Sequence, residues 1–144
     1  MMKWTKILLG AALSISFFLP WFDAVADTVT GARFPTLIGE LGAIGGSLAD
    51  FGLLKGLYFL PVFGVITVVL AFKNNGFYSR IAAFVSGSVS LLYMIVLLAY
   101  STGEMVDSMM YGVLYTFIAG MGLLLASAME GSAEAGEKQI QQSV

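Results

Sequence analysis

In a chain of 144 residues, 58% are hydrophobic and only 11% carry charge, against about 45–50% and about 25% in soluble domains; a water-soluble fold this small could not hide so much apolar surface, so the composition predicts a protein of the lipid bilayer. The net charge of −2 and the scattered Lys and Arg residues exclude a basic face for nucleic acid. The lack of cysteine and histidine excludes disulfides, iron–sulfur clusters and thiol catalysis, and removes the usual metal and haem ligand and general base, so no cofactor and no enzymatic activity are expected.

The first apolar segment covers residues 4–22. Lys3 and Lys6 precede an apolar run from Ile7 to Leu19, and Pro20 ends it. Ala24-Val25-Ala26 then has the small-x-small form of a signal-peptidase site. Two readings stand: removal of residues 1–26, leaving three helices, or retention of a first helix. Retention is favoured because Phe17, Phe18, Trp21 and Phe22 lengthen the segment and anchor it at the membrane interface.

The outer loop, residues 23–52, is long enough to carry structure of its own. Beyond Pro35, Leu37, Leu41, Ile44, Leu48 and Phe51 recur on one helical face, with Thr36 placed to cap its start. The pattern predicts a short interfacial helix. Gly39, Gly42, Gly45 and Gly46 oppose it at about 1 kcal/mol each, leaving a partly irregular re-entrant segment as the alternative.

A second helix is expected over residues 53–72, with Lys55 near its outer end able to snorkel to the headgroups. Pro61 either opens this helix or kinks it. Opening would leave about 18 Å of helix against about 30 Å of hydrocarbon, so the length favours a kinked helix. Lys73 to Arg80, with Asn75-Gly76, reads as a tight turn. Third and fourth helices follow at residues 81–100 and 109–129, with no ionisable group except tyrosine. A short loop carrying Glu104 and Asp107 joins them. Residues 130–144 are polar and read as a flexible or weakly helical extension. The expected fold is all-α: a polytopic bundle of four transmembrane helices with a short interfacial helix. Lys3, Lys6, Lys73, Arg80 and Lys138 fall on one side and only Arg33 and Lys55 on the other, which places both termini in the cytoplasm.

Small residues form rows on the last two helices. Gly112, Thr116 and Gly120 recur every four residues. Ala82, Ser86 and Ser90 make a second row, and Ala83 with Gly87 a third. Such small-xxx-small rows let helix backbones approach in lipid, within one chain or between subunits. Weaker signals are Met105, Met109 and Met110 beside Glu104 and Asp107, the tyrosines at 93, 100, 111 and 115, and the loop acids Asp23, Asp27, Glu40 and Asp50. Apolar filling, interface anchoring and a solvated face account for them; the loop acids match no compact calcium loop.

Several membrane families of this size are set aside by what they require. Small multidrug exporters and rotor-ring subunits need a membrane-embedded carboxylate, thiol-oxidising bundles need cysteine pairs, and claudin-like proteins need paired loop cysteines. Phe18-Leu19-Pro20-Trp21 at the close of the first helix, Thr30-Gly31 and Pro35 in the loop, and Leu60-Pro61 in the second helix together resemble a loose group of small, largely uncharacterised bacterial four-helix membrane proteins. The resemblance spans the first half of the chain. It implies an inner-membrane home and brings no catalytic residues. The expected function is an accessory or structural subunit packing against other membrane proteins in the bilayer. An oligomeric channel or small-molecule transport protein, formed by self-association, is the alternative.

Overall fold

The computed structural model describes residues 2–24, 27–34, 36, 54–73, 76–100, 109 and 111–142. The predicted interfacial helix of Leu37, Leu41, Ile44, Leu48 and Phe51 lies outside them. Among the described residues the fold is predominantly helical, with four α-helices, a β-hairpin and one 3-10 segment.

Helix α1 spans Met2–Ser16, about 22 Å long. It stops well short of the expected boundary at residue 22. Pro20 supplies no amide hydrogen and biases Leu19 away from helical backbone angles. The amides of Phe18 and Leu19 fold back onto the carbonyls of Ile15 (2.9 Å) and Ser16 (3.2 Å), tightening the last turn. The Trp21 indole N–H also donates to the Ser16 carbonyl, at 2.8 Å. Helix-end carbonyls need such partners, and here aromatic residues just beyond the helix supply one.

The chain next forms a hairpin of β1 (Pro20–Ala24) and β2 (Asp27–Thr30), a departure from the all-helical expectation. Phe22 pairs with Val29 and Asp23 with Thr28, with an irregularity between Pro20 and Phe22. The pleat turns Phe22 and Val29 inward, while Asp23 and Thr28 are exposed. Trp21 sits at the irregularity and is buried too, so two successive aromatic residues enter the core. Phe34 stacks on Phe22 with ring centroids 4.9 Å apart. Phe17, Leu57, Leu60, Met94, Leu97 and Val113 complete the buried part of this cluster.

A 3-10 segment, Leu54–Tyr58, runs directly into α2, Phe59–Phe72. Pro61 is the third residue of α2, where an amide has no intrahelical acceptor and its loss costs little. The proline therefore opens the α-helix, and the expected mid-helix kink is not observed. Length is recovered because the 3-10 segment rises about 2 Å per residue. Together the two elements extend about 31 Å.

Helix α3, Gly76–Tyr100, starts earlier than residue 81, and α4, Tyr111–Gln142, runs far past residue 129. The extension expected to be flexible or weakly helical is thus continuous helix as far as Gln142. At 32 residues, α4 is about 48 Å long. Two stretches, Gly76–Leu98 and Tyr111–Ala133, are long and apolar enough to cross a membrane.

The helices form a ring in chain order, with α1 against α2 and α4, and α3 against α2 and α4. Each helix is antiparallel to its neighbours: Trp4 meets Phe72, Ser86 meets Phe63, and Lys6 meets Glu130. The start of α1, the end of α2 and the start of α3 share one end of the bundle. The hairpin occupies the other. An apolar core coexists with buried hydroxyls and with an exterior rich in large apolar side chains. Ser16, Thr67, Ser86, Ser90 and Thr116 are buried, whereas Leu8, Phe59, Val65, Phe84, Leu92, Ile95, Leu114, Ile118 and Leu125 are exposed. Only 33% and 39% of the two long apolar stretches are buried.

Candidate functional site

Two interior hydroxyl chains tie the helices together. Thr116 Oγ1 lies 2.8 Å from Ser16 Oγ, and Ser16 in turn donates to the Leu13 carbonyl at 2.9 Å, joining α4 to α1. Ser90 of α3 donates to the Thr116 carbonyl at 3.1 Å. On the other side, Thr67 of α2 and Ser86 of α3 lie 2.8 Å apart. The Ser86 hydroxyl is also within reach of the Phe63 carbonyl across the interface and the Ala82 carbonyl in its own helix. Ser14 of α1 reaches the Pro61 carbonyl at 3.1 Å. That carbonyl belongs to the first turn of α2. Among the described residues, every buried side-chain nitrogen or oxygen has a partner. These hydroxyls fix helix register, a role worth about 0.6 kcal/mol per interhelical bond in lipid.

The small-residue rows lie at these crossings. A Cβ on Gly87 would stand 2.7 Å from the Gly120 carbonyl, and one on Gly120 would stand 2.7 Å from Ser90 Oγ. Ala83 is fully buried with Ala119 and Leu123. The row Gly112–Thr116–Gly120 is divided among three partners: Gly112 faces Pro20 and Trp21 of β1, Thr116 faces α1, and Gly120 faces α3. Ser86 faces α2 and Ser90 faces α4, with Ala82 half-buried beside them. All these contacts are within the chain. Sequence reasoning missed the equivalent crossing of α1 and α2, where a Cβ on Gly64 would lie 2.6 Å from the Gly10 carbonyl. Its signal was present as the small-xxx-small pair Gly10 and Ser14.

A polar cluster closes the end of the bundle opposite the hairpin. Lys6 is buried, and its ammonium donates to Ser79 Oγ at 2.5 Å and to Glu130 at 2.8 Å (Oε1) and 2.9 Å (Oε2). The cluster joins α1, α3 and α4. The sequence places Lys6 only among the basic residues that precede the first apolar run; its partners lie 73 and 124 residues away, beyond any local pattern. The ammonium has no further donor to offer, so the cluster is a structural tie rather than a reactive centre.

No protein-family model matches this chain, and no curated protein or solved structure resembles it significantly. The site must therefore be read from its own geometry.

Two of the surface notches among the described residues bear on that geometry. The larger, about 520 Å³, lies between α3 and α4 near the hairpin end and is lined by Met94, Leu98, Met109, Val113, Leu114 and Phe117, with Tyr111 beside them. Its lining offers no charged group. Met109 pairs through its backbone with Phe22 of β1, and its side chain packs against the aromatic cluster; Met105 and Met110 lie outside the described residues. Of the tyrosines, Tyr93 fits its hydroxyl into the space left by Gly56, and Tyr111 and Tyr115 are exposed. Among the described residues no three acidic side chains converge as a metal site would require. The second notch, about 350 Å³, lies between the same two helices at the opposite end, where Arg80 borders Ile81, Phe84, Ser127, Ala128 and Gly131.

Proposed function

We propose that the chain is a non-catalytic integral protein of the inner membrane, a four-helix transmembrane bundle serving as an accessory or structural subunit beside other membrane proteins. The observation that carries this reading is the apolar exterior: Leu8, Phe59, Val65, Phe84, Leu92, Ile95, Leu114, Ile118 and Leu125 are exposed, while hydroxyls and small residues sit at the helix crossings beside an apolar core. In water such a surface would aggregate; in lipid it is the expected one, because helices there associate through close packing and interhelical hydrogen bonds.

The first helix belongs to the mature bundle in this reading. Removing residues 1–26 would delete Lys6, Ser14, Ser16 and Trp21 together, leaving Glu130, Thr116 and the α2 face without their partners. Helix α1 is shorter than the hydrocarbon is thick, and the hairpin, with Trp21, Phe22 and Val29 buried, extends it. Non-helical backbone is tolerated at membrane depth where protein covers it. The cytoplasmic placement of both termini follows from the Lys and Arg residues gathered at that end.

The accessory reading rests on where the polar groups are committed. Interior hydroxyls and the Lys6 ammonium are engaged within the chain, which leaves the apolar exterior and the helical extension of α4 as the surfaces a partner meets. Native mass spectrometry of the untagged protein, extracted gently from its own membrane, tests this directly. Complexes containing unlike chains are expected. A closed homo-oligomer with a polar central path would replace this reading with a channel.

A further inference from the structure

We propose that Trp4, Phe72, Phe77 and Tyr78 form an aromatic collar that seats in the headgroup layer of a phospholipid bilayer and fixes how deep the bundle sits. The inference rests on the membrane-spanning reading above and names the surface by which the chain meets one lipid boundary.

Helix register makes the collar. Trp4 of α1 meets Phe72 of α2 edge to face, with ring centroids 6.4 Å apart. Phe77 meets Tyr78 in the same manner at the start of α3, 5.5 Å apart. The buried Lys6 ammonium, which donates to Ser79 Oγ at 2.5 Å, brings the two pairs level. Trp4 stands just before Lys6, and Phe77 and Tyr78 stand just before Ser79, so the rings fall within about one helical turn of one another along the axis. All four are exposed, Trp4 at 62%. Rings spread over three helices at one level do not make the single face that a partner protein covers. They mark the perimeter that a lipid boundary crosses.

The order of side chains along the axis identifies the occupant. Toward this end of the bundle the surface of α1 reads Leu8, Trp4 and then Lys3. Helix α2 runs the opposite way, yet toward the same end it reads Val69, Phe72 and then Lys73. Aliphatic, aromatic and cationic is the order that hydrocarbon, headgroup layer and water select in turn. Tryptophan and tyrosine suit the middle layer because an apolar ring carries one polar group at its rim. Among the described residues, no large apolar side chain is exposed on α4 past Met129. The aromatic run at the other end of α1 includes Trp21 as a sequence-level anchor, but Trp21 is fully buried and cannot touch lipid.

The chain has two tryptophans, one exposed and one enclosed, so fluorescence tests the collar. The full chain is reconstituted into phosphatidylcholine vesicles carrying a nitroxide quencher either on the headgroup or near the end of the acyl chain. Subtracting the emission of Trp4→Phe from that of the native chain isolates Trp4, and phenylalanine keeps a ring against Phe72. The Trp4 emission should be quenched more strongly by the headgroup nitroxide than by the deep one, and Trp4→Phe should lose most of the headgroup quenching. Added to Trp4→Phe, Phe77→Trp should restore headgroup quenching. Leu8→Trp in the same background, one turn nearer the middle, should shift quenching toward the deep probe. Stronger quenching of Trp4 by the deep probe would overturn the proposal, as would quenching by aqueous iodide alone, or a Phe77→Trp chain that the headgroup probe does not reach. Protection of Trp4 from all three quenchers would mean that another protein chain covers it, and would overturn the proposal equally. Alkaline carbonate treatment of native membranes separates the two levels of inference. A chain released by carbonate removes the membrane reading itself, whereas a retained chain with Trp4 deep or in water removes only the collar.

Discussion

Lys6 and Glu130 show what a single pair contributes when it closes the end of a bundle. The lysine is buried and its three donors are all engaged. Removing one partner of such a pair leaves an uncompensated charge, typically at a cost of about 3–5 kcal/mol, while replacing both with apolar groups is often neutral or stabilising. Glu130→Gln is therefore expected to destabilise the chain by about 3 kcal/mol, read as a lower midpoint of thermal unfolding in detergent. Adding Lys6→Met to that variant should recover most of the loss. A double variant no more stable than the single one would mean the lysine is not enclosed as described. None of this was legible in the sequence, where Lys6 stands among N-terminal residues with an ordinary flanking role. The buried hydroxyls were partly legible, because Ser86, Ser90 and Thr116 sat on small-residue rows.

Elements explain why some boundaries were readable and others were not. Helices α3 and α4 contain the long, proline-free apolar runs that predicted them, but α3 begins before residue 81 and α4 continues past residue 129. The end of α1 and the start of α2 were displaced by proline, which supplies no amide and so fits only at an edge or in a first turn. Aromatic residues after Ser16 read as a continued helix, yet Trp21 and Phe22 enter the core from a strand, a choice that depends on β2 and Phe34 rather than on local spacing. The rows of small residues were recognisable as helix faces, but their partners were not, because a row of glycine and serine looks the same whatever it touches. The crossing of α3 and α4 now gives a sharp expectation. Gly120→Leu forces a side chain into Ser90 and Gly87, and overpacking of this kind costs about 1–3 kcal/mol. Its effect should be on the folding of the isolated chain, seen as lost thermal stability without any partner present. A variant that keeps full stability alone would return Gly120 to an intermolecular surface.

At the scale of the whole molecule, an apolar exterior, a ring of antiparallel helices and a basic end fit the proposed membrane-spanning body. In the proposed bundle the shortest crossings are α1 and α2, since each α-helix is shorter than the hydrocarbon layer and would need the hairpin or the 3-10 segment to complete the span. The chain has no cysteine, so each introduced cysteine is a unique reporter of position. The most direct measurement is labelling of Asp23→Cys, Lys73→Cys and Ser132→Cys in intact cells with a membrane-impermeant maleimide; all three positions are exposed. The account predicts that Asp23→Cys reacts from outside, whereas Lys73→Cys and Ser132→Cys react only after the membrane is opened. Labelling of Asp23→Cys and Lys73→Cys from the same side would show that α2 does not cross, and would contradict the four-helix transmembrane bundle.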